Sequence, residues 1–182
     1  MRMILDDFAM KNLRRAIEIT AKGLQEGMKA ARPGLTTKEI METVDYVYRL
    51  HGAELGFHTG VGVASHLDEV IRYSTAQEEA AARKGDARIT EGILVHFDTG
   101  AEVNHYSADV QRTVPAGNGF NDEQRRIYEK VLEVQKAVIA AVRPGATWWE
   151  LHNLAVSMLR EAGDWDESYT YGIGHFNGME VH

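Results

Sequence analysis

The chain has 182 residues, with 20 basic against 27 acidic side chains and a formal net charge of −7; 44% of it is hydrophobic and 26% charged. That is ordinary composition for a folded chain long enough to bury a core. No apolar run reaches the about 18 residues of a membrane span. The absence of cysteine excludes disulfides, thiolate metal sites and a cysteine nucleophile. The acidic balance disfavours nucleic acid as a partner, because phosphate neutralisation needs a basic face. Met1-Arg2-Met3-Ile4-Leu5-Asp6-Asp7 meets acidic residues before a signal-peptide core could form, so a soluble, cytoplasmic protein is expected.

From about Asp7 to Ala31, apolar positions recur at helical spacing. The run stops at Arg32-Pro33-Gly34, where proline cannot continue a helix. Thr36 and Glu39 form a Thr-x-x-Glu capping box that starts a second helix, which ends near Gly52. Gln77 to Arg88 reads as a solvated loop or short helix. Ile93 to Asp98 and Tyr106 to Val114 read as two strands joined by a short polar link. Asn121 and Gln124 then cap a helix over Glu123 to Val142. Arg143-Pro144-Gly145 ends it, and Thr147 with Glu150 opens another that ends near Gly163.

The second helical pair repeats the first at an offset of 111 residues, from Arg32 to Arg143. The same offset carries Arg14, Arg15 and Glu18 onto Arg125, Arg126 and Glu129, and Gly52 onto Gly163. Each unit therefore reads as two helices on antiparallel strands, an α+β pattern. Two pseudo-symmetric halves are expected, the first over about 1–118 and the start of the second over about 119–182. The second half is expected to be incomplete, because the repeat partners of Asp98 and Asp109 would fall beyond His182.

Asp98 and Asp109 need a physical reason. A hairpin centred between Val103 and Asn104 sets them face to face, where like charges are destabilising, and Asp is a poor strand former. A cation or a shared proton would compensate; a bulged register turning one of them to solvent is the alternative. Near the C-terminus, Gly172-Ile173-Gly174-His175-Phe176-Asn177-Gly178-Met179-Glu180-Val181-His182 is rich in residues that permit bent backbone, and it places two histidines seven apart. His51, His58, His66, His96, His105 and His152 are read as surface or core-edge side chains. Trp148 and Trp149 open a capped helix, and at least one of them is read as core.

At these residues the sequence resembles the pita-bread metallopeptidases, the family of aminopeptidase P, prolidase and methionine aminopeptidase. The resemblance runs through Phe97-Asp98-Thr99-Gly100, Ser107 to Pro115, and Gly174 to His182, and is nearer the aminopeptidase P and prolidase branch. It implies an α+β pita-bread fold, also called creatinase/aminopeptidase-like, and a peptidase that removes an N-terminal residue or cleaves a dipeptide, with proline in second position. It implies two divalent ions, manganese, cobalt or zinc. Asp98 would hold one ion, Asp109 would bridge both, and His175 would bind the other. His182 would bind substrate and act in catalysis by positioning the carbonyl. The implied partner is a peptide, and the family is compatible with a homodimer.

The sequence departs from the family pattern in three places. Two glutamate ligands, one bridging, are not among these residues. Arg72 precedes Tyr73 where the family often has a substrate-binding histidine. The N-terminal domain of aminopeptidase P and prolidase is not seen. The chain therefore reads as the larger part of a catalytic domain, inactive by itself. A non-catalytic binding or chaperone-like module and a metal-free, creatinase-like amidinohydrolase are the alternatives on the same fold.

Overall fold

The computed structural model describes residues 4–64, 87–163, 165, 169 and 172–181. His66, Arg72, Tyr73, His182 and most of the segment 77–88 lie outside them. Two compact units are resolved by their internal contacts: residues 1–119 with 176–182, and residues 120–175.

In the first unit, helix α1 spans Asp7–Ala30 and helix α2 spans Thr37–Leu50. The Asp6 carboxylate accepts the Ala9 amide at 2.8 Å and so caps α1. Buried residues Ala9, Asn12, Ala16, Ile19, Gly23 and Gly27 recur every three or four positions and define its inner face. The expected capping box opens α2: Glu39 N–H donates to Thr36 Oγ1 at 3.3 Å, and Thr36 N–H donates to Glu39 Oε2 at 2.9 Å.

Glycines on α1 let its neighbours come close. A Cβ on Gly23 would overlap the Tyr48 ring of α2, and one on Gly27 would stand 2.6 Å from Val44 and 2.9 Å from Phe97. Ile19, Ile40, Val44, Tyr48, Val95 and Phe97 form the centre of this unit's core.

The described strands make two small antiparallel sheets. Strands β1 (Glu54–Leu55), β4 (Ala101–Val103) and β5 (Tyr106–Ser107) form one. Strands β2 (Gly60–Ala64), β3 (Leu94–Thr99) and β6 (Val110–Pro115) form the other, with β3 in the middle. Strand β2 escaped the sequence reading because glycine at alternate positions of Gly60-Val61-Gly62-Val63 hides its strand character.

In the second unit, helix α3 spans Asp122–Ala141 and helix α4 spans Trp148–Glu161. Both carry the expected capping boxes, from Asn121 with Gln124 and from Thr147 with Glu150. The caps Thr36 and Thr147 stand at the 111-residue offset, and each opens a helix of 14 residues. Val134, Ala155 and Leu159 form a small core, with Met158, Trp165, Tyr169 and Ile173 packed around it. No strand occurs among the described residues of this unit, so antiparallel strands under both helical pairs are seen only for the first. Neither tryptophan is core: Trp148 is 42% exposed and Trp149 64%. The cap sets the helix start, but it does not choose which of its first residues face inward. None of the described helices is long and apolar enough to cross a membrane.

Candidate functional site

The hairpin of the first unit turns at Asn104 and His105, both with positive φ of 50° and 66°. Two consecutive left-handed residues are what a two-residue type I′ turn requires, and asparagine tolerates that region well. The turn centre therefore falls between Asn104 and His105, one residue later than the sequence reading placed it.

This shift corrects the face-to-face pairing of Asp98 with Asp109. Asp98 stands opposite Gln111, and its other ladder neighbour is Gly60. Gln111 Nε2 donates to Asp98 Oδ2 at 3.1 Å. The ladder ends at Thr99–Val110, and Asp109 lies in the break between β5 and β6. Gly100 faces that break, where a Cβ would run into the Ala108 carbonyl. Like-charge repulsion across a ladder pair therefore does not require a cation here. Both aspartates are half-buried, two register positions apart.

Alternation along β3 turns Phe97 and Thr99 into the core, each 0% exposed, and His96 and Asp98 to the opposite face. Gly60 and Gly62 carry no side chain beside Asp98 and His96, so the β2 edge of that face is bare. His96 was read as a surface or core-edge residue and is mostly buried. Burial pushes its imidazole down to about 4, so it is neutral at pH 7. Its Nδ1 lies 3.2 Å from Thr113 Oγ1. His96, Gln111 and Thr113 went unselected as neighbours of Asp98. The period-two spacing of His96 and Asp98 was the signal for the first, whereas the other two needed the register.

His175 belongs to the second unit and is exposed. The residue before it is tethered, since Trp148 Nε1–H donates to the Gly174 carbonyl at 3.0 Å. Gly172 passes so near the same indole that a Cβ would stand 2.9 Å from it. His182 lies outside the described residues. Glu180 is exposed, and the Ser107 amide donates to the Gly178 carbonyl at 3.0 Å.

Among the described residues, no three His, Asp or Glu side chains gather where one ion could be held. The donor types nevertheless fit a divalent ion: two half-buried carboxylates and an imidazole are oxygen and nitrogen ligands of the kind manganese, cobalt and zinc accept.

Comparison with known proteins matches residues 11–182 to metallopeptidase family M24. An Xaa-Pro dipeptidase of Pyrococcus horikoshii is 32% identical over 182 residues, covering all of this chain and 49% of that protein. Prolidase from Pyrococcus furiosus superposes with a TM-score of 0.87 at 31% identity, over the whole chain and 50% of the prolidase. An X-Pro aminopeptidase from Thermotoga maritima gives a TM-score of 0.84 at 28% identity, over 48% of its length. The fold is the pita-bread fold of these enzymes, and the chain spans about half the length of the relatives it matches.

Proposed function

Because the chain belongs to metallopeptidase family M24, we propose that the full-length protein is a metal-dependent exopeptidase that hydrolyses the N-terminal peptide bond of peptides with proline in second position. One observation carries this reading. The full length of the chain resembles Xaa-Pro dipeptidases and aminopeptidases, and Asp98, Asp109, His175 and His182 are the residues to which the motif resemblance would assign the site.

Asp98 would hold one divalent ion, Asp109 would bridge two, and His175 would hold the second. When bound, such ions ease the ionisation of water and polarise a peptide carbonyl. The chain's own residues do the rest. Gln111 holds the Asp98 carboxylate by its side-chain amide, and the Trp148 indole tethers the backbone beside His175. His182 would donate a hydrogen bond to the scissile carbonyl and stabilise the charge that develops there. The larger part of the catalytic domain lies in these residues, its first half over about 1–118 and its second beginning near 119. The protein acts on peptide substrates and is compatible with a homodimer.

The test is Asp109→Asn in the full-length protein, assayed on an Xaa-Pro dipeptide and an Xaa-Pro tripeptide with manganese present. Loss of at least about 100-fold in kcat with an unchanged circular dichroism spectrum is expected, as removing a bridging carboxylate costs transition-state stabilisation of several kcal/mol. Unchanged turnover, or no turnover by the unsubstituted protein, would overturn the reading and leave a binding module in its place.

A further inference from the structure

A line of buried polar side chains runs behind the end of β3. Tyr48 of α2, Thr59 before β2 and Thr99 at the end of β3 are all 0% exposed, and Asp45 of α2 is 6% exposed. The Tyr48 hydroxyl lies 2.9 Å from Thr99 Oγ1. Thr99 Oγ1 lies 2.9 Å from Thr59 Oγ1, and Thr59 Oγ1 donates to Asp45 Oδ1 at 2.6 Å.

Counting protons orients the whole line. Each hydroxyl has one hydrogen to give. Thr59 gives its hydrogen to Asp45, so Thr99 must give its own to Thr59, and Tyr48 must give its own to Thr99. Each threonine thus donates once and accepts once along the line, ending on a carboxylate. Charge-assisted and cooperative bonds of this kind are stiffer than isolated ones.

The two threonines sit where Asp98 needs them. Thr99 follows Asp98 in the chain, and Thr59 precedes Gly60, the ladder partner of Asp98 on β2. One residue beyond Gly100, the Ala101 amide donates to Thr20 Oγ1 of α1 at 2.9 Å, also buried. The final turn of the ladder is thereby tied to both helices by side chains, at the point where the two sheets diverge. A core that served stability alone would need no buried aspartate here, because apolar groups of the same shape avoid its desolvation cost.

We propose that the Tyr48–Thr99–Thr59–Asp45 line is a positioning device that fixes the end of β3 and so aims the Asp98 carboxylate. The inference rests on the reading of Asp98 as a metal ligand. None of the four is one of the candidate ligands; they act through the backbone on either side of Asp98. Outer-shell groups that hold a ligand in place typically contribute 10–100-fold in metal affinity.

The test uses the full-length protein, stripped of metal and titrated with Mn2+ by calorimetry and with Co2+ by visible absorption. Thr99→Val keeps the shape and removes the hydroxyl; Thr99→Ser keeps the hydroxyl. Thr99→Val is expected to weaken Mn2+ binding about 10-fold or more and to shift the Co2+ spectrum, with Thr99→Ser within about threefold of the unsubstituted protein. A Thr99→Val protein that melts earlier but binds Mn2+ as tightly, with the same Co2+ spectrum, would overturn the inference and leave a purely structural role. Should Thr99→Val not fold, Tyr48→Phe takes its place under the same two outcomes. If the unsubstituted protein binds no Mn2+, the metal reading of Asp98 fails first, and this inference falls with it.

Discussion

Tyr48 is buried, and that burial drives its phenol up to about 12. The sign of the consequence follows from linkage. A group whose folded pKa is raised contributes its full stability below the unfolded value of 10.0 and loses it as pH rises through about 12. Two pKa units correspond to about 3 kcal/mol at most. Urea unfolding between pH 9 and pH 12 should therefore show a loss of stability that Tyr48→Phe reduces. The tyrosinate absorbance of the folded protein should lose its latest-titrating component in that variant. Equal pH dependence of the two proteins would show that the phenol is not confined as described. Residues of this kind were invisible to motif reading, since nothing in the sequence near Tyr48 distinguishes a buried hydroxyl from an exposed one.

At the scale of elements, α1 is held against α2 and β3 by the smallness of its inner face. Gly23 meets the Tyr48 ring, and Gly27 meets Val44 and Phe97. Gly23→Ala pits two effects against each other. Alanine favours a helix over glycine by about 1 kcal/mol, whereas overpacking a filled core costs about 1–3 kcal/mol. The ring it meets is 0% exposed and tied to Thr99, so packing wins. The variant should unfold at a lower urea midpoint than the parent chain, and a raised midpoint would mean that the ring can step aside. The helices and three of their four caps, at Thr36, Asn121 and Thr147, were legible in the sequence because capping boxes and apolar periodicity act over three or four residues; the Asp6 cap was not read. Strands β1, β2 and β4 were not legible, because strands of two or three residues and a glycine-rich strand carry almost no propensity of their own. The hairpin was legible but its register was not. One residue of turn placement moved the partner of Asp98 from Asp109 to Gln111.

At the scale of the whole molecule, membership of metallopeptidase family M24 covers residues 11–182, while the relatives are about twice as long. On the proposed function, these 182 residues by themselves should bind manganese or cobalt weakly and show no turnover of an Xaa-Pro peptide, because the family's two glutamate ligands are not among them. Metal-dependent turnover by the purified 182-residue chain would contradict that expectation. The candidate ligands were legible as residue types in motif spacing. Their support was not: the Gln111 amide on Asp98 and the Trp148 indole beside His175 come from elsewhere in the chain.

The sequence by itself determined the paired helices, their start and stop points, the repeat at 111 residues and the family, since each is written in short-range spacing or in runs of motif. Only the tertiary structure decided which side chain faces Asp98, where the ladder ends and which hydroxyls line up behind it. Those contacts join residues 13 to 51 positions apart, and pairing over such separations is set by the packing of the whole unit around Phe97 and Tyr48, not by any local preference.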